Sequence, residues 1–366
     1  MGQHPALQGG ARPPGLRHRP VRDAHHPGHP GRFGDHDQVQ QPAVRGGCLR
    51  DVSRVPYRRP RPGPDPDDRH GRPHQRDARR GAGRILKGGA RDGARLGVSD
   101  GASRDLPLDA HLHTDLSPDS DVPVDAYAAL AAESGIAEIA ITDHVDFDPQ
   151  DPAWEYSSFG DRERTVREAA ARWADRGVAI RFGVELTYNR TWEDDIRSHL
   201  ARHAYDFTIG SVHDWPGSPY RGGEAVARWV AGRSLAEIVE PYVTEVTAAA
   251  RSGLFDAIGH LDVVKRYLAP HVTAAQLAAA PELFEPALVA LVESDTALEV
   301  NTSGLRRFRE LGGTRLTAGS DAHREHAFAF GLDAGYRVAS EAGFGELSFR
   351  RGGGPVAIPI PDRARA

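Results

Sequence analysis

From Leu106 onward, two patterns of apolar and polar positions take turns along the chain. Short apolar runs predict strands at LDAHLHT (108–114), EIAITDH (138–144), AIRFGVELTY (179–188), DFTIGSVH (206–213), AIGHLD (257–262), ALEVNTS (297–303) and RLTAGSDAH (315–323). Between them, VDAYAALAAESG (124–135), DRERTVREAAARWADRG (161–177), LAEIVEPYVTEVTAAARSG (235–253) and ELFEPALVALVES (282–294) carry apolar residues at helical spacing. Seven strand–helix units, each of roughly 30 residues, predict an α/β fold: a parallel sheet with crossover helices. Residues 105–366 are numerous enough to close such a sheet into a TIM-like barrel.

Residues 1–104 have neither period. They are rich in Arg, Pro, Gly and His, and carry too few large apolar residues to offset the entropy of ordering a backbone. Within 1–100 there are 20 Lys+Arg, 10 Asp and no Glu, against 46 basic and 51 acidic residues in the whole chain. The first part is therefore strongly basic and the remainder acidic. This low-complexity segment reads as disordered, or as GC-rich coding sequence translated from a mispredicted start; a metal- or nucleic-acid-binding tail is the alternative. One cysteine, Cys48, excludes an intrachain disulfide framework and a cysteine-rich zinc site. No apolar run has the length of a signal core or a membrane span, so a cytoplasmic protein without membrane contact is expected.

The chemistry sits at the ends of the predicted strands, where barrel enzymes gather their functional groups. His111 and His113 stand two apart in the first strand, so both side chains leave the same face. Asp321 and His323 repeat that spacing in the last strand. Asp119 follows the first strand, and His144, Glu185, His213 and His260 end four of the others. An isolated strand histidine is usually a packed or surface residue. Six of them, each at the end of a different strand or paired in HxH or DxH, with three carboxylates, point instead to one shared site. Neutral imidazole with carboxylate suits zinc, manganese or iron, and nine such groups suffice for two or three divalent ions. His199 and His203, spaced i, i+4 on the stretch EDDIRSHLARH, read as a solvated helix face.

The strings DAHLHTDLSPDS, AITDHVDF, FGVELTYN, IGSVHDW, AIGHLDVVKRY, LEVNTSG and AGSDAH, in this order, resemble the PHP (polymerase and histidinol phosphatase) family, in its histidinol-phosphatase-like branch. The resemblance covers roughly 106–335. It implies a distorted (β/α)7 barrel, a trinuclear metal centre and phosphoester hydrolysis. Carried over by position, it implies His111, His113, Glu185 and Asp321 around one ion. Glu185 would bridge to a second ion held with His213 and His260, and Asp119, His144 and His323 would hold the third. Asp143 is expected to orient a ligand rather than to bind metal. One departure stands out: only GLRRFRELGGT joins Ser303 to Arg315, close to the lower limit for a parallel crossover.

The expected reaction is attack on phosphorus by a metal-bridging hydroxide, with the ions neutralising the phosphate oxygens. Arg306, Arg307, Lys265 and Trp215 are candidates for substrate contact, since arginine in particular offers a planar fork of donors to phosphate. Histidinol phosphate is the leading substrate. The alternatives are another small phosphoester or nucleotide on the same scaffold, or a metal-binding module without catalysis. A nucleic-acid partner for the barrel is disfavoured by its acidic charge, and nothing in the sequence specifies an oligomeric state.

Overall fold

The computed structural model describes residues 106–220, 222–300 and 304–362; the expectation for 1–104 lies outside the described residues. The strands are β1 (Leu108–Leu112), β2 (Glu138–Ile141) with its continuation β3 (His144–Val145), β4 (Ala179–Thr187), β5 (Phe207–Ser211), β6 (Ala257–Ile258), β7 (Ala297–Glu299) and β8 (Leu316–Thr317). They follow one another in a single parallel sheet, with β2 and β3 both pairing with β4. The first and last strands then meet. Ala110 N–H donates to the Ala318 carbonyl at 2.9 Å, Asp321 N–H to the His111 carbonyl at 3.0 Å, and His113 N–H to the Ala322 carbonyl at 3.0 Å. These bonds close a distorted seven-stranded barrel and leave its sheet without an edge.

Several strands are buried on both faces. Every residue of β1, β2 and β5 is buried, which explains why they read as continuous apolar runs rather than clean alternations. The outer layer consists of α1 (Val124–Ser134), α2 (Phe159–Trp173), α3 (Glu193–Arg202), α4 (Gly223–Val230), α5 (Leu235–Arg251), α6 (Val264–Leu268), α7 (Ala274–Ala278), α8 (Glu285–Ser294), α9 (Leu305–Glu310) and α10 (Leu332–Glu341). Their ends carry local signals. Ser234 with Glu237 and Thr273 with Gln276 form capping boxes that start α5 and α7. Gly135, in the left-handed region at φ 70°, stops α1.

The short connection after β7 does make its crossover. It folds as α9, whose Leu305 and Phe308 are buried, and a Cβ on Gly313 would stand 2.6 Å from the Phe308 ring. A hairpin not expected from the sequence follows α10: β9 (Glu346–Arg350) pairs antiparallel with β10 (Pro355–Pro359). It covers the N-terminal ends of the strands. Phe349 packs on Phe207 at 4.6 Å between ring centroids, Arg350 Nε donates to Asp256 at 2.8 Å, and Arg351 Nε donates to Glu138 at 2.8 Å. Gly352 N–H reaches the Asp206 carbonyl. One mouth of the barrel is thereby stoppered, and the chemistry occupies the other.

Candidate metal centre

Each donor side chain except Asp119, which lies in the loop between β1 and α1, is delivered at or shortly after the C-terminal part of a strand. His111 lies within β1 and His113 just beyond it, with both side chains fully buried. His144 of β3 is the direct register partner of Glu185 of β4. His213 and His260 come two residues after β5 and β6, and Asp321 and His323 follow β8. His260 (φ 21°) and Asp321 (φ 52°) hold left-handed backbone, a conformation that L residues adopt at some cost. Strain at two donors of one site is a feature of sites that place side chains for function.

Glu185 is the hub. Its Oε2 lies 2.8 Å from His144 Nδ1, 3.4 Å from His113 Nε2 and 3.5 Å from His111 Nε2. Its Oε1 lies 2.8 Å from His260 Nε2 and 3.6 Å from His213 Nε2. On one side, Asp321 Oδ1 stands 3.3 Å from His113 Nε2 and 3.6 Å from His111 Nε2. On another, Asp119 Oδ2 lies 3.0 Å from His323 Nε2 and 3.3 Å from His144 Nε2. All nine predicted donors are thus brought together, although Asp119 and His323 are separated by two hundred residues of chain. Three groups have donor atoms close enough to share a cation: His111–His113–Asp321, His113–Asp119–His144–His323 and His144–Glu185–His213. His144 offers one ring nitrogen to Asp119 and the other to Glu185, so it stands between two groups rather than in one.

The carboxylates and imidazoles of the cluster shift one another's pKa values against the effect of burial. Burial alone would raise the carboxyl pKa values of Glu185, Asp321 and Asp119, yet the surrounding imidazoles hold all three well below the carboxylate range. Burial would lower His111 and His144, but Glu299 and Glu185 for the first, and Asp119 and Glu185 for the second, raise them well above an ordinary histidine. His113 goes the other way. Burial, with His323 and His144 beside it, pushes it down to about 3. Glu185 Oε2 and Asp321 Oδ1 are buried with imidazole nitrogens around them at 2.8–3.6 Å, yet neither receives a well-directed hydrogen bond, and such atoms call for explanation. His111 Nε2 and His113 Nε2, 3.1 Å apart, face the same point. Divalent cations fit this donor set: they would coordinate the two carboxylate oxygens and the converging ring nitrogens together.

Behind the donors stands a supporting layer only partly foreseen. Asp143 touches no imidazole; its carboxylate accepts the N–H (2.6 Å) and the hydroxyl (2.8 Å) of Thr114, fixing the residue next to His113. Buried Arg162 holds the carbonyls of Asp143 and His144 at 3.1 and 2.6 Å. Glu299, unremarked in the sequence, accepts from His111 Nδ1 at 2.7 Å. Asp109 anchors Ser320 through N–H and hydroxyl donors at 2.9 and 2.7 Å.

The expected substrate contacts fare differently. Arg307 is committed to Glu285 (2.8 Å) and Glu310 (3.2 Å), and Arg306 is exposed on the same short helix α9. Lys265 pairs with Asp262 at 2.7 Å. Trp215 is buried edge-on against Tyr220, with ring centroids 4.9 Å apart, so it serves packing. The cation that feels the centre is the neighbouring Arg266. Burial would lower its pKa, but Tyr267, Asp321 and Glu185 together raise it, while part of the side chain still reaches solvent. The solvated face expected for His199 and His203 is instead a packing face. His199 Nε2 lies 2.9 Å from the Tyr205 hydroxyl, and His203 stacks on Phe159 at 4.2 Å.

Comparison with known proteins agrees with this geometry. Residues 109–303, more than half of the chain, match the PHP domain. The chain belongs to the PHP family. The "Probable histidinol-phosphatase" of Deinococcus radiodurans is 28% identical over 262 residues, covering 66% of this chain and 96% of that protein. The "Histidinol-phosphatase" of Lactococcus lactis is 25% identical over 256 residues, covering 66% and 93%. Among solved structures, the PHP fold is matched by histidinol phosphate phosphatase from Lactococcus lactis, crystallised with zinc, L-histidinol and phosphate. That match has a TM-score of 0.58 and 24% identity, and covers 68% of this chain and 98% of the other. Among the described residues of this PHP protein, no helix is long and apolar enough to cross a membrane.

Proposed function

We propose that this chain is a metal-dependent phosphoric monoester hydrolase and that its substrate is histidinol phosphate. The observation that carries the reading is the convergence of nine donor side chains in one cluster, in which the imidazoles of His111, His113, His144, His213 and His260 meet the two oxygens of Glu185. His111, His113, Glu185 and Asp321 would hold one ion; Glu185, His213 and His260 a second; and Asp119, His144 and His323 a third. When bound, such ions supply charge for the phosphate oxygens and bring a coordinated water toward a pKa of ~7, which yields a nucleophile at neutral pH.

The chain's own residues do the rest. Asp119, Glu185 and Asp321 contribute three negative charges, which two or three divalent ions more than offset, so the site presents net positive charge to a phosphate dianion. The side chains of Asp119 and Asp321 are 41% and 25% exposed, whereas those of His111, His113 and Glu185 are sealed. Substrate therefore enters over Asp119 and Asp321. Arg266 lies within electrostatic reach of that opening and offers the planar donor fork that phosphate favours. Arg324, whose Nη1 donates to the Asp119 carbonyl at 2.8 Å, fixes the loop at its rim. A small phosphorylated metabolite as partner and a cytoplasmic setting belong to the same reading.

The test is phosphate release by the purified full-length chain, loaded with zinc or manganese, from a panel containing histidinol phosphate, sugar phosphates and nucleotides. Hydrolysis of histidinol phosphate with a kcat/KM at least a hundredfold above the rest is expected, abolished by a chelator and restored by metal. Comparable turnover of nucleotides would move the assignment to a general phosphatase. No turnover with metal bound would reject hydrolysis.

A further inference from the structure

Glu299 closes β7 and is fully buried. Its two oxygens have separate tasks. Oε1 accepts from His111 Nδ1 at 2.7 Å, and Oε2 accepts the backbone N–H of His260 at 2.8 Å. The first bond leaves Nε2 of His111 as the nitrogen that faces His113 and Glu185. The second ties down the residue whose φ is 21°. One carboxylate therefore sets the ring orientation of one donor and the strained backbone of another, and these two donors meet different oxygens of Glu185, His111 at Oε2 (3.5 Å) and His260 at Oε1 (2.8 Å).

Two glycines of the neighbouring strands let the backbone pack closely around this carboxylate and the groups beside it. Gly259 and Gly319, just beyond β6 and β8, flank Glu299. A Cβ on Gly319 would stand 3.0 Å from Oε1 and 2.2 Å from His111 Cβ; one on Gly259 would stand 3.5 Å from Oε2 and 2.6 Å from Ser211 Oγ. Neither glycine has a positive φ, so space rather than backbone freedom explains them.

We propose that Glu299 is a positioning residue that couples two metal subsites by orienting His111 and His260 together. The proposal rests on the reading that these histidines hold ions, and it adds that their geometry depends on one buried carboxylate that binds no ion itself. In E299Q the side chain has one oxygen and one amide nitrogen. Whichever way it turns, one of the two N–H donors meets another N–H.

Zinc affinity of the full-length protein is measured by competition with a chromophoric chelator, and the absorption bands of the cobalt-substituted protein are recorded beside it. In E299Q, zinc affinity at the subsites using His111 and His260 is expected to fall about 10–100-fold, the range typical of partners that orient metal-binding histidines. The Asp119–His144–His323 subsite should keep its affinity, the cobalt bands should shift, and kcat should fall with KM little changed. A purely structural role would lower the melting temperature of the metal-free protein while leaving zinc affinity and cobalt spectrum as in the wild type, and would overturn the proposal. Should E299Q fail to fold, E299D, too short to reach both donors, gives the same comparison. A wild-type chain that takes up no zinc would remove the metal-centre reading itself, and this proposal with it.

Discussion

Replacing Glu185 by glutamine tests the arrangement most severely, because five imidazoles converge on that one side chain at 2.8–3.6 Å. Glutamine keeps the volume but turns one oxygen into an NH2 that cannot ligate. If the amide nitrogen faces His111, His113 and His144, one group loses its shared oxygen; if it faces His213 and His260, the other does. Either way the centre loses one of its three carboxylate charges. Removing one partner of a buried charged pair costs about 3–5 kcal/mol, equivalent to roughly two to four orders of magnitude in affinity. E185Q should therefore bind at least one ion fewer by elemental analysis at micromolar free zinc, and turnover should drop by about a thousandfold or more. Its metal-free form should also lose stability, because there the same carboxylate answers the imidazoles of His144 and His260 at 2.8 Å, so the metal content is read on protein that circular dichroism shows to be folded. An E185Q protein with the wild-type metal stoichiometry and turnover within tenfold would refute the idea that this carboxylate joins the subsites.

Three further outcomes follow from other residues. R266A removes an arginine within electrostatic reach of the opening and should cost about 1.5–3 kcal/mol, the range for hydrogen bonds to charged groups; kcat/KM should fall ten- to a hundredfold, chiefly through KM, with metal content unchanged, and an unaltered KM would exclude it from substrate binding. G319A places a methyl group 2.2 Å from His111 Cβ, so overpacking of about 1–3 kcal/mol and lost metal are expected together; a thermal melt and zinc content like the wild type would show that the cradle is looser than described. Asp206 is held below its ordinary pKa, against its burial, by Arg167 and by the Phe182 N–H. A depressed carboxylate contributes stability that is present above its unfolded pKa and lost as pH falls through the lower folded value. D206N should thus be less stable than wild type by about 1–2 kcal/mol near pH 7, with the gap narrowing below pH 4 in denaturant titrations of the metal-free proteins. A gap that is constant with pH would exclude the ion pair as its source.

The barrel and its donors were legible because each left a local mark. A strand's period of two places His111 beside His113, and strand-terminal histidines stand out in apolar runs. Glu299 left no such mark. It is one acidic residue in ALEV, and its partner lies 188 positions away, so nothing nearby distinguishes it from a surface glutamate. Lys265 and Arg266 are neighbours on one short helix, about 100° apart around its axis, and sequence alone cannot say which turns toward the site. Arg307 has its partner Glu285 on another helix, which no local pattern reveals. The strands of the β9–β10 hairpin are partly exposed and lack the apolar run that marks the barrel strands, although the glycines between them are an ordinary turn signal. His199 and His203 were misjudged because their apolar neighbours, Phe159 and Tyr205, lie outside the helix that carries them.

Closure of the barrel between β1 and β8 has a consequence for biogenesis. His111 and His113 leave the ribosome some two hundred residues before Asp321, so a nascent chain owns half of that cation pocket long before the other half exists. An ion held there would be loaded only once synthesis is nearly finished. A product truncated before residue 321 would lack both the hydrogen bonds that shut the cylinder and the aspartate that completes the pocket, so the ion there would serve as a buckle fastened only on full-length polypeptide.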